Sequence, residues 1–247
     1  MRYLLNKKKQ KIAYKYSNGK KPGIIFIHGL NSNMEGLKAL SIEKYARKKN
    51  ISFLRFDCRG HGKSSGNFED FTINDWKEDI INIIDNIARG PQILIGSSMG
   101  GWLMILASKA RPKRIMGIIG LAAATDFGES IYKNLSKKNK EEIKNNGITE
   151  YSSYGFAYFL KLKFFIQAKK NNVLNKKFIF NKPVILIHGL KDSVVKFDMP
   201  KKIMNIITGN KVQIIYLKDS DHRLSNKNDL QIINNSLDNI LSLIKLS

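Results

Sequence analysis

The sequence predicts an α/β protein with a mostly parallel central sheet and helices on both faces. Three observations carry that expectation. Short apolar runs such as "IIFI" and "QILI" alternate along the chain with longer stretches whose apolar residues recur every three or four positions. Such alternation implies parallel strands joined by right-handed crossovers. The strand runs are continuously apolar instead of apolar at every second residue, which marks strands buried on both faces. Finally, 247 residues at 43% apolar are enough for one large domain with a real core, and too few for two independent ones.

Each element follows in order. "KIAYKY" (11–16) alternates like an edge strand, and "SNGKKPG" after it supplies a turn. "GIIFIHGL" (23–30) reads as a buried strand ending in His-Gly. A helix is expected from about Met34 to Lys49, then the strand "ISFLRFD" (51–57) and the loop "CRGHGKSSG" (58–66). Thr72 opens the next helix, with Asp75 at capping-box spacing and Ile73, Trp76, Ile80, Ile84 and Ile87 at helical intervals. The strand "QILIGS" (92–97), a helix from Met99 and the strand "IMGIIGLAAA" (115–124) come next.

The rhythm then breaks over 126–180, partly polar ("SKKNKEEIKNNG") and partly aromatic and helical ("YSSYGFAYFLKLKFFIQAKKNN"). A departure of that length inside a compact domain carries structure of its own. It is assigned as a cap inserted into a single domain spanning 1–247. The strands resume with "KPVILIHGL" and "VQIIYLKDS", and an amphipathic helix from about Asn228 to Lys245 closes the chain. The cap aromatics Tyr151, Tyr154, Phe156, Tyr158, Phe159, Phe164 and Phe165 either line a pocket or hold the cap on the core.

The 43 Lys and Arg against 20 Asp and Glu give a formal net charge of +23. That charge raises nucleic acid or an anionic membrane as partners. The lysines are spread along the chain among asparagines and isoleucines, without one basic stripe, zinc-finger spacing or an RNP motif. Nucleic-acid binding therefore has no motif behind it. The single cysteine, Cys58, excludes an internal disulfide and suits a reducing compartment. No apolar leader region and no run of about 18 apolar residues is present, so a cytoplasmic protein with no transmembrane segment is expected. Oligomeric state is not legible.

"GSSMGG" (96–101) lies where a central strand must reverse at once into a helix, the edge of a parallel sheet at which ligands bind. The pattern G-x-S-x-G there is a nucleophile elbow and selects Ser98, with Ser97 pointing away. A serine hydroxyl needs a base, and the base needs an orienting group. Of the four histidines, His28, His61 and His188 sit at strand ends or in a glycine-rich loop and read as structural. His222, after the last strand, is in the right place for the base. Asp192, beyond the preceding strand, is preferred as the acid, with Asp219 and Asp221 as competitors because they flank His222. The order Ser98, Asp192, His222 matches nucleophile, acid and histidine. Backbone N–H groups of Met99 and Leu30 are expected to form the oxyanion hole. Arg59 and His61 read as holding their loop together, and Cys58 as packing.

With these residues in hand, the chain resembles the α/β-hydrolase superfamily over nearly its full length. "HGLNSN", "DCRGHGKSSG", "GSSMGG", "HGLKD" and "DH" agree in order and spacing. "IGSSMGGWLMILAS" and "SDHRLS" look like the branch of the mitochondrial palmitoyl-protein thioesterase and its bacterial relatives. The resemblance implies an α/β-hydrolase fold with a helical cap insertion. It also implies cleavage of an acyl ester or thioester through an acyl-enzyme, with no cofactor or metal and with a small-molecule or acylated-protein substrate. The alternatives are a carboxylesterase for small or xenobiotic esters, or a non-catalytic basic binding protein on the same fold.

Overall fold

The structure, a computed structural model, describes residues 1–153 and 156–245, with Ser153 and Phe156 described through their backbone alone. In chain order the strands are β1 (Arg2–Leu5), β2 (Lys11–Ser17), β3 (Lys20–Ile27), β4 (Ile51–Phe56), β5 (Gln92–Ser97), β6 (Ile115–Leu121), β7 (Ile148–Ser153), β8 (Phe156–Lys161), β9 (Val184–Gly189) and β10 (Val212–Leu217). The helices are α1 (Leu37–Lys48), α2 (Ile73–Asn86), α3 (Met99–Ala110), α4 (Phe127–Asn134), α5 (Lys137–Asn146), α6 (Leu162–Lys170), α7 (Met199–Ile206) and α8 (Lys227–Lys245). Eight strands form one sheet in the order β1-β2-β4-β3-β5-β6-β9-β10. Only the β1–β2 and β2–β4 pairings are antiparallel. The sheet is mostly parallel, as the sequence predicts.

Each face of the sheet buries its own apolar layer. Trp76, Ile80 and Ile84 of α2 and Trp102 and Leu103 of α3 pack on one face. Ile42 and Ala46 of α1 and Ile233, Leu237 and Ile240 of α8 pack on the other. Fully burying one such side chain is worth about 1.5–3 kcal/mol, so these helix stripes are what hold the crossovers to the sheet. Asp75 caps α2 by accepting from both the backbone N–H and the hydroxyl of Thr72, at 2.9 and 2.6 Å.

β4 is buried along its whole length, and that includes Arg55. A buried guanidinium requires partners. Arg55 finds them in Glu43 (2.9 Å), Glu35 (2.7 Å) and the carbonyl of Met34 (2.7 Å). It thereby fixes the segment between β3 and α1.

Several elements differ from the sequence expectation. The sheet edge is β1, so "KIAYKY" is the second strand and not the edge. α7 fills the β9–β10 crossover, for which no helix was expected. In the cap, half of the stretch read as helical is an antiparallel hairpin of β7 and β8, followed by α6. Aromatic, β-rich sequence such as "FAYF" packs on a pleated surface, and a continuously apolar short run cannot be told from a helix by periodicity.

The segment between β6 and β9 is tied back on itself and to α3. The Asp126 carboxylate accepts the backbone N–H groups of Val173 and Leu174 at 2.8–3.0 Å. The Trp102 indole, on α3, donates to the carbonyl of Asn171 at 2.9 Å.

Candidate active site

β5 ends at Ser97 and α3 begins at Met99, so Ser98 alone makes the turn, with φ 53° and ψ −120°. A non-glycine residue holds that conformation only when its surroundings impose it. Close packing imposes it here: a Cβ on Gly96 would lie 2.2 Å from the Gly100 carbonyl oxygen, and one on Gly100 would lie 2.3 Å from the Ile27 carbonyl oxygen. Strand, helix and β3 approach each other with room only for hydrogen. The Ser98 N–H donates to Leu121 on β6, and its carbonyl accepts from Gly101 and Ala124.

β3 lies between β4 and β5 in the sheet, so the chain leaves β3 toward one side and β5 toward the other. That reversal opens a crevice at the carboxyl ends of the two strands. The segment after β3 enters it from one wall: a Cβ on Gly29 would lie 3.1 Å from Ser98 Cβ. Leu30 therefore sits beside the serine, and Met99, at the start of α3, follows it directly.

His222 Nε2 lies 3.0 Å from Ser98 Oγ, and His222 Nδ1 lies 2.8 Å from Asp192 Oδ2. An ionised carboxylate only accepts, so Nδ1 carries the hydrogen and Nε2 of the neutral ring is left to accept from the serine hydroxyl. The Asp192 side chain is 1% exposed, and its other oxygen accepts the N–H groups of Val194 and Val195 at 2.8 Å each. Burial is the largest influence on this carboxyl and pushes its pKa up. The hydrogen bonds from His222, Val195 and Val194 outweigh it together and hold the pKa below the ordinary aspartate value. The competing aspartates face elsewhere: Asp219 pairs with Lys191 at 2.8 Å and is 77% exposed, and Asp221 accepts the N–H of Arg223.

The other histidines brace this arrangement. His28 donates from Nδ1 to the Gly29 carbonyl at 2.7 Å and accepts the Cys58 N–H at Nε2. His61 accepts the Asn31 N–H at Nε2 (3.3 Å) and approaches the Arg59 carbonyl with Nδ1. Burial dominates both rings and lowers their pKa values to about 4 and about 3. Both stay neutral, His28 holding the Gly29 carbonyl and His61 the Asn31 N–H on either side of Leu30. His188, fully buried, donates to the Val195 carbonyl at 3.1 Å and lies 3.6 Å from Asp192 Oδ2; burial lowers its pKa as well. Arg59 pairs with the buried Asp79 at 2.6 Å. Cys58 is buried, and its thiol is pushed up by burial.

Ser98, His222 and Leu30 open on a cavity of about 430 Å³. Of the cap aromatics, Tyr151 and Tyr158 line it, their rings 5.5 Å apart. Phe164 and Phe165 are buried in the core, and Phe159 is half exposed. Tyr154 and the side chain of Phe156 lie outside the described residues. Both readings of the aromatic cluster therefore hold, for different members.

Sequence reasoning missed α4 altogether. It presents Phe127, Ser130, Ile131 and Asn134 to the cavity, and Val194 and Val195 close the side next to Asp192. Only Phe127 and Ile131, an apolar pair at i and i+4 in "FGESIYKN", were available as a signal. Among the described residues no group of three or more His, Cys, Asp or Glu side chains is placed to hold a metal ion. A neutral imidazole backed by a carboxylate and in reach of a hydroxyl can take a proton from that hydroxyl as it attacks an electrophilic carbon.

Residues 19–150 match a protein-family model described as serine aminopeptidase, S33. The chain is 38% identical to the mitochondrial palmitoyl-protein thioesterase of Homo sapiens over 234 residues, covering 93% of this chain and 76% of the relative. Among solved structures it superposes on the alpha/beta hydrolase domain-containing protein 10 from mouse with a TM-score of 0.91 and 35% identity, covering 100% of this chain and 99% of the other. A hydrolase from Agrobacterium vitis S4 gives a TM-score of 0.89 and 28% identity over 96% of each chain. These relatives overturn one expectation: the curated thioesterases are mitochondrial, not cytoplasmic. That expectation rested on the lack of an apolar leader, whereas mitochondrial addresses are amphipathic and arginine-rich.

Proposed function

Because the chain belongs to the α/β-hydrolase superfamily and, within it, to the serine aminopeptidase S33 family, we propose that it hydrolyses acyl esters or thioesters with Ser98 as nucleophile, His222 as base and Asp192 as the orienting acid. The observation that carries this reading is one ring bridging two groups: His222 reaches Ser98 Oγ at 3.0 Å and Asp192 Oδ2 at 2.8 Å. The thioester side draws support from the 38% identical palmitoyl-protein thioesterase, and the acyl side from the cavity against Ser98, with its walls of Phe127, Ile131, Tyr151 and Tyr158.

In the reaction His222 takes the hydroxyl proton as Ser98 Oγ attacks the carbonyl carbon. The N–H groups of Met99 and Leu30 receive the developing oxyanion, and α3 directs its positive end at the same place. Collapse expels the thiol or alcohol, which leaves with the proton held by His222. Water, deprotonated by His222, then releases the acyl group from Ser98. Residues 126–180 are read as a cap inserted into one domain of 1–247, a reading supported by the Asp126 bonds that join the two ends of the insertion.

Initial rates on p-nitrophenyl esters and on S-acyl thioesters of increasing chain length, for the wild type and Ser98→Ala, test the proposal. The expected result is a rate that rises with chain length, favours thioesters and disappears in Ser98→Ala. Wild-type rates in Ser98→Ala would overturn the assignment. A rate indifferent to chain length would point to small esters as substrates.

A further inference from the structure

α4 has two working faces. Phe127, Ser130, Ile131 and Asn134 wall the catalytic cavity, while Tyr132 and Lys133 face away from it into a second groove of about 500 Å³ on the outside of the cap. The far side of that groove is α6. Its inward stripe, Phe164, Phe165 and Ala168, is buried, yet Leu162 and Ile166 form a second apolar strip pointing outward. Tyr132, Leu162 and Ile166 are 41, 41 and 45% exposed. A helix whose inward stripe is already satisfied gains nothing within the fold from a second one, and contiguous exposed apolar surface marks a place of contact.

The rim supplies the chemistry of the contact. Lys133, Lys140 and Lys169 stand around the apolar floor, with Glu129 as the groove's carboxylate. Lys140 is fixed there by donating to the Lys133 carbonyl at 2.9 Å. The ion pairs of the cap run elsewhere, from Lys138 to Glu142 and from Lys161 to Asp70. Aliphatic floor, amphipathic tyrosine and lysine rim together are the pattern of a surface that lies in a lipid interface, where long lysine stems stay with the apolar phase and their heads meet phosphate. The chain's +23 charge favours an extended negative surface over a single acidic peptide.

We propose that the outer groove of the cap docks on an anionic bilayer, with Leu162 and Ile166 entering the headgroup region and Lys133, Lys140 and Lys169 meeting its phosphates. Binding needs no turnover, so this inference stands or falls apart from the hydrolase reading.

The test is co-sedimentation with vesicles of phosphatidylcholine, with and without phosphatidylglycerol. Because a chain of +23 is drawn to any anionic surface, the control is a variant of equal charge change far from the cap, K44E/K48E/K245E, at the opposite end of the crossover helices. Wild type is expected to bind only the vesicles containing phosphatidylglycerol. L162S/I166S is expected to lose roughly tenfold in partitioning. K133E/K140E/K169E is expected to lose about a hundredfold, at about fivefold per lysine, against a few-fold for the distant control. The proposal is overturned if L162S/I166S binds as wild type, or if the distant control loses as much as the rim variant. It is also overturned if the groove substitutions abolish self-association in sedimentation velocity and leave vesicle binding intact, which would assign the groove to a second copy of the chain.

Discussion

Asp126 Oδ2 accepts the backbone N–H of Leu174 at 2.8 Å, joining two points 48 positions apart. Asp126 itself has φ 56°, a left-handed conformation that aspartate tolerates better than most residues. The carboxylate also takes the N–H of Val173, so one side chain closes the loop that carries α4, α5, β7, β8 and α6. Asp126→Ala is expected to cost about 2 kcal/mol in urea unfolding, the scale of hydrogen bonds to a charged group. Faster amide exchange at Val173 and Leu174 should accompany the loss. Unchanged exchange at those two amides would mean that the cap is held shut by its apolar contacts alone.

Ser98→Ala is expected to lower kcat by several orders of magnitude without changing the fold. Asp192→Asn should cost on the order of 10⁴ in kcat, because an amide leaves the imidazole in the wrong tautomer. Asp219→Asn, whose carboxylate pairs with Lys191 at the surface, should leave kcat within a factor of about two. Steady-state rates for the three variants on one ester separate the roles. An inactive Asp219→Asn beside an active Asp192→Asn would reverse the choice of acid.

Gly100→Ala is expected to destabilise the protein by roughly 3 kcal/mol or more, since its Cβ meets the Ile27 carbonyl at 2.3 Å, where backbone must move. Thermal unfolding reads this directly. A tolerated alanine would mean that β3 can shift away from the start of α3.

Acid should destabilise the fold through His28 and His61. Their folded pKa values, about 4 and about 3, lie below the unfolded value near 6.5. Between these limits the unfolded chain binds more protons, so stability rises with pH. The contribution is complete above about pH 6.5 and falls by about 1.4 kcal/mol per unit per ring as pH drops toward 4. His61→Gln, which keeps an acceptor for the Asn31 N–H, should reduce the slope of unfolding curves taken from pH 7 to 4.5 by about one ring's share, about 1.4 kcal/mol per unit. An undiminished slope would place the acid sensitivity on other groups.

Ile131, on the cavity face of α4, should set how much acyl chain fits. Ile131→Trp is expected to lower kcat/KM for long-chain substrates by roughly tenfold to a hundredfold while sparing acetyl esters, the scale of an overfilled apolar pocket. Equal losses at every chain length would mean that the acyl group lies elsewhere.

Much of this architecture is local and therefore legible. The central parallel strands announce themselves as apolar runs, β4 with its buried Arg55 excepted, and the elbow at Ser98 is written in glycines at positions where a Cβ would meet backbone at 2.2 and 2.3 Å. The cap was less legible because its apolar residues serve two surfaces at once. Tyr158 turns to the cavity while its neighbour Phe159 is half exposed, which blurs any single period. β1 is short and exposed at a sheet edge, so burial leaves little imprint on its sequence. The service of Asn31 to His61 is a tertiary relation between two loops 30 positions apart, and no spacing rule reaches it.

Ser98 and His222 are separated by 124 positions, with the whole cap and β9 between them. The residues that build the strained serine turn are therefore synthesised long before the base that would serve it in the proposed mechanism. Without an imidazole to take its proton, that hydroxyl is an ordinary alcohol. In the proposed mechanism the hydroxyl gains its base only once the segment beyond β10, the strand paired with β9, brings His222 over the crevice. A polypeptide that still lacks His222 is then expected to be chemically silent toward acyl groups during its own synthesis.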